Sequence, residues 1–251
     1  MKKNKICVVL PTKNESKTIE KMIRELFEKF DYFGFETPII IITDDSSDNT
    51  RKLAKMNGAK VINGGGKGLG YAMYQGLKSA LKYNPDYILS CDADGQLDLN
   101  EIPNFINPLI NDEADLIIGS RFLKQSLVKY KYRWRNRFGV IILSKILSSF
   151  TGKKITDSHG GMRAMSANVI QELEMLGTHT YVQETIIDAN EKGFRILEIP
   201  SVWKKRESGG SKVVSSIPTY VFYTLPILFI RSKKHIKWLY SIGILLNLFA
   251  I

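Results

Sequence analysis

The feature that most constrains this chain is a regular alternation over its first 120 residues. Short uncharged runs take turns with segments whose apolar residues recur every three to four positions. Residues 6–10 are a β-rich run closed by Pro11, and residues 38–43 (PIIIIT) are apolar on both faces, as a buried parallel strand is. Further strands are predicted at 59–62, 87–91 and 114–119. Between them, residues 15–30 carry Ile19, Met22, Ile23, Leu26, Phe27 and Phe30 at helical spacing, and 48–57, 69–83 and 99–110 also read as helices. This βαβαβαβαβ order predicts an α/β fold: a mainly parallel sheet with helices on both faces. The second half is less regular. Helices are expected at 134–150, 166–176 and 182–192, a short strand at 160–164, and one or two strands over 194–203.

Charge is distributed unevenly. The net charge of +11 hides a stretch, 121–156, with ten basic residues and no acid. A second stretch, 200–251, has eight basic residues and only Glu207. The rest of the chain therefore leans acidic, and the two basic regions point to an anionic surface or substrate. Cys7 and Cys91 sit in apolar strand-like runs, which predicts inert buried thiols and excludes a disulfide framework or Cys-based zinc site. MKKNK is followed by only five apolar residues before Pro11, too few for a secretory leader. Near the end, residues 217–230 and 238–251 are uncharged runs of 14 residues separated by RSKKHIK. A helix of that length is about 21 Å long, short of a bilayer's hydrocarbon core of roughly 30 Å. A membrane-interface tail is the leading expectation; packing of these helices on the body of the protein is the alternative.

In a parallel α/β sheet, ligands bind at the carboxyl ends of the strands. Four polar segments stand there: PTKNE, DDSSDNT, NGGGKGLG and DADGQ. In DADGQ, Asp92 and Asp94 flank Ala93, so both carboxylates can lean toward one point, with Gln96 as a neutral oxygen donor. Such donors suit Mg²⁺ or Mn²⁺ shared with substrate phosphates. A calcium EF-hand is excluded, because Leu97 and Pro103 stand where that loop needs Gly and Glu. NGGGKGLG is neither a Walker loop, since Lys67 is followed by Gly68, nor a dinucleotide fingerprint, since the last glycine would be Tyr71. It remains a backbone that can approach a ligand closely, with Lys67 for an anion. Asp44 and Asp45 end the second strand, where a carboxylate can accept from a nucleobase or ribose. Ser46, Ser47 and Asp48 are expected to cap the next helix.

Taken in order, PTKNE, DDSSDNT, GKGLGYA, DADGQ, GSRF (119–122), DSHGGMRA (157–164), QE (183–184) and RESGGSK (206–212) resemble the inverting family 2 glycosyltransferases of GT-A fold. Within them the chain is most similar to the polyprenyl-phosphate hexosyltransferases, the group of dolichol-phosphate mannose synthase. The resemblance implies a GT-A, Rossmann-like catalytic domain over 1–212 and a short membrane-associated helical tail over 213–251. It implies that Pro11, Glu15, Asp44 and Asp45 hold the nucleoside of a nucleoside-diphosphate sugar, with Lys67 and Ala93 beside it. It implies that Asp92, Asp94 and Gln96 hold Mg²⁺ or Mn²⁺ against the diphosphate. Arg121 and Arg133 would meet the acceptor phosphate, Asp157 would stand near the reacting centre, and Arg206, Ser211 and Lys212 would form a phosphate-binding loop. The acceptor would be a polyprenyl phosphate at a membrane surface, with the catalytic domain on the cytoplasmic side. The chain departs from the family pattern at Asn63, Leu97-Asp98, Gly160-Gly161-Met162 and Trp203, which leaves the sugar open.

Two other readings stand beside this one. A transferase acting on a sugar hydroxyl would need a general base, and Asp157 is the candidate. A nucleic-acid binder is suggested by Tyr130, Tyr132 and Trp134 among basic residues; DADGQ argues against it, and nucleic acid is not an expected partner.

Overall fold

The computed structural model describes residues 4–123, 127–130, 132–179, 181–206, 217–232 and 241. Seven strands among them form one sheet: β1 (Ile6–Thr12), β2 (Ile39–Asp44), β3 (Lys60–Asn63), β4 (Tyr87–Ser90), β5 (Leu116–Ser120), β6 (Arg163–Ser166) and β7 (Ile196–Pro200). Their order is β3-β2-β1-β4-β6-β5-β7. The β1–β2, β2–β3, β1–β4 and β5–β7 pairs are parallel. Only β6 runs against its neighbours β4 and β5. The expected α/β, mainly parallel sheet is therefore present, with one reversed strand that the alternation did not predict. The reversal has a positional consequence: the segment entering β6 lies at the edge where β4 and β5 end.

Helices cover both faces. On one side lie α1 (Ile19–Tyr32), α2 (Thr50–Met56) and α4 (Ile102–Ile110); on the other lie α3 (Leu69–Ala80), α5 (Trp134–Thr151), α6 (Ala167–Glu172) and α7 (Val182–Glu191). The apolar stripe of α1 does what its spacing dictates: Ile19, Met22, Ile23, Leu26 and Phe30 are buried against β1 and β2 residues. Each such side chain removed from water contributes about 1.5–3 kcal/mol. The helix starts at Ile19 rather than near residue 15, because the Glu15 carbonyl accepts from the N–H groups of Thr18 and Ile19 in a preceding turn. That turn leaves the Glu15 side chain at the sheet's edge. The helix expected over 166–176 closes early, at Glu172, and the chain then extends past α7.

The first uncharged run of the tail is helical, α8 (Ile217–Arg231), continuing through Pro226. It packs on α7. Thr224 and Leu228 are buried, and Arg231 bonds to Asp188 and to the Glu174 carbonyl. Its other face shows Phe222, Tyr223, Phe229 and Ile230 to the outside. Docking on the body is thus observed, and an apolar outer surface accompanies it. Among the described residues no helix is long and apolar enough to cross a membrane. The second uncharged run lies outside the described residues except for Ser241. Cys7 and Cys91 are buried and unpaired with each other, as expected; burial pushes the Cys7 thiol up to about 11 and raises Cys91 as well.

Candidate active site

Three groups of side chains meet along the carboxyl edge of the sheet. The first surrounds DADGQ. Burial and the neighbouring Asp94 push the Asp92 carboxyl up to about 7, and burial raises Asp94 too. Glu15 adds a third carboxylate to this field. The Arg206 guanidinium reaches in, with Nη2 at 3.0 Å from Glu15 Oε1 and 3.4 Å from Asp94 Oδ2. The turn is braced from below: Thr18 Oγ1 donates to the Ala93 carbonyl at 2.9 Å, and the Gln96 N–H donates to Asp94 Oδ1 at 3.0 Å. Gln96 Nε2 donates to the Lys204 carbonyl at 3.2 Å, so its side chain also ties the turn to the segment after β7.

The carboxylate pair suits a divalent cation. Burial and the repulsion of Asp94 both raise the Asp92 pKa, and a positive ion would relieve both. Space is reserved beside them: a Cβ on Gly161 would stand 2.7 Å from Asp92 Oδ2 and 3.0 Å from the Trp203 ring. No cluster of three or more His, Cys, Asp or Glu side chains poised for a metal occurs among the described residues. Asp92 and Asp94 would thus hold an ion whose remaining ligands come from phosphate oxygens and water, the usual manner of Mg²⁺.

The second group is the Asp44–Asp45 pair at the end of β2. Asp44 is fully buried and committed: Thr12 Oγ1 donates to it at 2.8 Å, Ser46 Oγ at 2.5 Å and Arg51 Nε at 3.2 Å. It holds the β1 and β2 ends in register beside Pro11. Asp45 is half-buried, and its Oδ1 accepts from the Gly66 N–H at 2.9 Å, which fastens the glycine loop over the strand ends. Gly68, at a φ of +115°, brings the loop so near residue 178 that a Cβ would lie 2.7 Å from the Thr178 carbonyl. Lys67 is exposed, with Nζ 4.9 Å from the Tyr71 ring centre. None of the three expected capping residues is the N-cap of α2, which is Asn49; Asp48 just before it accepts from the Thr50 N–H at 2.9 Å, while Ser46 and Ser47 turn toward Asp44 and Asn14.

The third group joins two residues that sequence reasoning assigned separately. Arg121 and Asp157 form a buried pair: Nε to Oδ2 at 2.7 Å and Nη2 to Oδ1 at 2.8 Å. Asp157 also accepts from the backbone N–H of Arg121 and of His159, both at 3.0 Å. Burial favours the neutral acid, yet the Arg121 bonds outweigh it and hold the Asp157 carboxyl below its ordinary value. The arginine lies over Trp203, 4.4 Å from its centre, and its Nη1 points to the Tyr132 hydroxyl at 3.4 Å. Glu198, an acid inside the apolar run of β7, accepts from the N–H groups of Thr156 and Asp157 and fixes this loop. Arg163, fully buried at the start of β6, donates to the Gly160 and Val182 carbonyls at 3.1 and 2.7 Å and so anchors the other side of the same loop. Neither Glu198 nor Arg163 was singled out from the sequence; a charged residue interrupting an apolar strand was the available signal. Arg133 stands exposed at the start of α5, away from these contacts, and Ser211 and Lys212 lie outside the described residues.

Comparison with known proteins agrees with this arrangement. The chain is 31% identical over 217 residues to the low-salt glycan biosynthesis hexosyltransferase Agl6 of Haloferax volcanii, covering 85% of this chain and 50% of that protein. The chain thus spans about half the length of that relative. It is 31% identical over 216 residues to a UDP-N-acetylglucosamine–dolichyl-phosphate N-acetylglucosaminyltransferase of Methanococcus voltae, covering 78% of this chain and 84% of that one. Among solved structures, it superposes on glucosyl-3-phosphoglycerate synthase of Mycobacterium tuberculosis, crystallised with Mn²⁺, UDP and product, with a TM-score of 0.66 at 19% identity, over 91% of this chain and 80% of that one. That likeness supplies the GT-A form of the sheet. Residues 7–174 match the family model described as glycosyl transferase family 2, and the chain belongs to that family.

Proposed function

We propose that this enzyme transfers a hexose, with inversion, from a nucleoside-diphosphate sugar to a polyprenyl phosphate at a membrane surface. The observation that carries the choice of acceptor is the state of Asp157. A sugar hydroxyl must lose its proton, and the base that takes it needs a free lone pair and a pKa near the working pH. Asp157 has both oxygens bonded to Arg121 and a lowered pKa, so it is a poor base. A phosphate monoester is already anionic at neutral pH, its second pKa being about 6. It needs positive charge and orientation, which the acid-free stretch 121–156 is suited to give.

In this reading, Asp45 and the glycine loop receive the nucleoside, with Lys67 at the rim. Asp92 and Asp94 hold Mg²⁺ or Mn²⁺, which when bound neutralises charge on the departing diphosphate. Arg121, oriented by Asp157 and Trp203 and with Nη1 beside the Tyr132 hydroxyl, supplies the positive charge for the acceptor phosphate. The outer apolar face of α8 and the basic stretches keep the site near lipid headgroups. The related dolichyl-phosphate transferase supports the lipid acceptor.

The test is a transfer assay with a polyprenyl phosphate, Mn²⁺ or Mg²⁺, and labelled GDP-mannose, UDP-glucose and UDP-N-acetylglucosamine in parallel. Label entering the organic phase from one donor is the expected result. No label from any donor, with transfer to a glycan hydroxyl detected instead, overturns the acceptor assignment.

A further inference from the structure

Arg206 occupies an unusual place for a phosphate-binding residue. Its guanidinium does not point outward; it is bonded to the acidic cluster itself, 3.0 Å from Glu15 and 3.4 Å from Asp94. Both acids are buried, so the guanidinium lies against two carboxylates shielded from solvent. Without some positive charge, Glu15, Asp92 and Asp94 would repel one another in a poorly solvated recess. A divalent cation would supply that charge, and so does Arg206.

We propose that Arg206 is a built-in counterion of the cation site, competing with the divalent ion until a diphosphate arrives. The idea rests on the reading of this cluster as a cation–diphosphate centre. When the cation comes alone, it must bind beside a guanidinium, and like charges a few ångströms apart disfavour it. When it comes with a nucleoside diphosphate, the phosphate oxygens offer Arg206 a bidentate partner. The guanidinium then exchanges Glu15 and Asp94 for the diphosphate, and the repulsion becomes attraction. The arrangement makes cation and nucleotide bind cooperatively. By linkage, nucleotide tightens the cation as much as cation tightens the nucleotide.

The experiment measures Mn²⁺ binding to the full chain by calorimetry or by the electron paramagnetic resonance signal of free Mn²⁺. Wild type, Arg206→Gln and Arg206→Lys are compared, each alone and with saturating GDP or UDP. Without nucleotide, Arg206→Gln should bind Mn²⁺ tighter than wild type, by about tenfold or more for one removed neighbouring charge. With nucleotide the order should reverse, and Arg206→Lys should lie near wild type in both states. Equal Mn²⁺ affinity of wild type and Arg206→Gln without nucleotide overturns the proposal while leaving the cation site intact. A weakening by Arg206→Gln in both states also overturns it, since that is the behaviour of a simple structural residue. If wild type binds no Mn²⁺ with or without either nucleotide, the cation–diphosphate reading fails and the proposal with it.

Discussion

Replacing Asp157 by Asn separates the two roles this residue can have. Arg121 and Asp157 are 3% and 0% exposed, so the substitution leaves a guanidinium buried without its counter-charge. Breaking a buried pair from one side costs about 3–5 kcal/mol. The amide still accepts one hydrogen bond, which favours the lower end, near 3 kcal/mol. For a chain of this size each kcal/mol shifts the melting temperature by about 2–4 °C, so a fall of roughly 6–12 °C is expected by calorimetry at neutral pH. Changing both partners to apolar residues, Arg121→Met with Asp157→Leu, should return much of that loss, because neither charge is then stranded. The transfer rate of Asp157→Asn should retain the pH profile of the wild type, since no base has been removed. The reasoning is refuted if Asp157→Asn melts within about a degree of wild type while losing 10²–10⁴-fold in rate, the span a removed general base accounts for.

Other outcomes follow from particular contacts. Gly161→Ala should weaken Mn²⁺ binding and transfer by tenfold or more with little loss of fold, because the new methyl meets Asp92 Oδ2 at 2.7 Å; equilibrium Mn²⁺ titration checks it. Gly160→Ala should instead fail to fold, its Cβ falling 1.9 Å from the Gly119 carbonyl, which expression and circular dichroism would show. His159 is half-buried and its pKa is lowered to about 4, desolvation being the main cause. A depressed histidine contributes stability that is complete above about 6.5 and lost as pH falls toward 4, on the order of 3 kcal/mol; the melting temperature of His159→Gln should therefore fall less steeply than wild type over that range. Neither cysteine should react with a thiol reagent in the native state, and both should react in denaturant, since burial raises both thiols.

The donor half was legible because its signals are local. Each strand end up to residue 96 follows directly on an apolar run, so position along the chain and position at the sheet's edge coincide. The rest depends on distance. Arg121 and Asp157 are 36 residues apart, and no period links them. Read separately, one looked like a phosphate clamp and the other a base; paired, each changes the other's chemistry. The direction of β6 was hidden for a similar reason, since a strand of only four residues, Arg163–Ser166, carries no local signal of its direction. Asp44 and Asp45 are adjacent letters with different fates, decided by Arg51 in the first turn of α2 and by the loop around Gly66. The N-cap position fell to Asn49, while Asn14, just past the end of β1, draws Ser47 away.

The reversed strand also sets an order of assembly. β3, β2, β1 and β4 pair among residues 6–90 and can form as soon as that stretch is available, through βαβ crossovers alone. β6 must then slide between β4 and β5 as the last strand of the centre, joining residues 87–90 to 163–166. β1 and β4 pair across a comparable separation, so β6 comes later because it must enter between two strands and its residues are made after theirs. A ribosome that has released only the first hundred residues would already carry the nucleotide-side edge, while the Arg121–Asp157 pair would wait for β6. Pulse-labelled hydrogen exchange during refolding should find β1 and β2 amides protected before those of β6; simultaneous protection would mean that the two halves condense together.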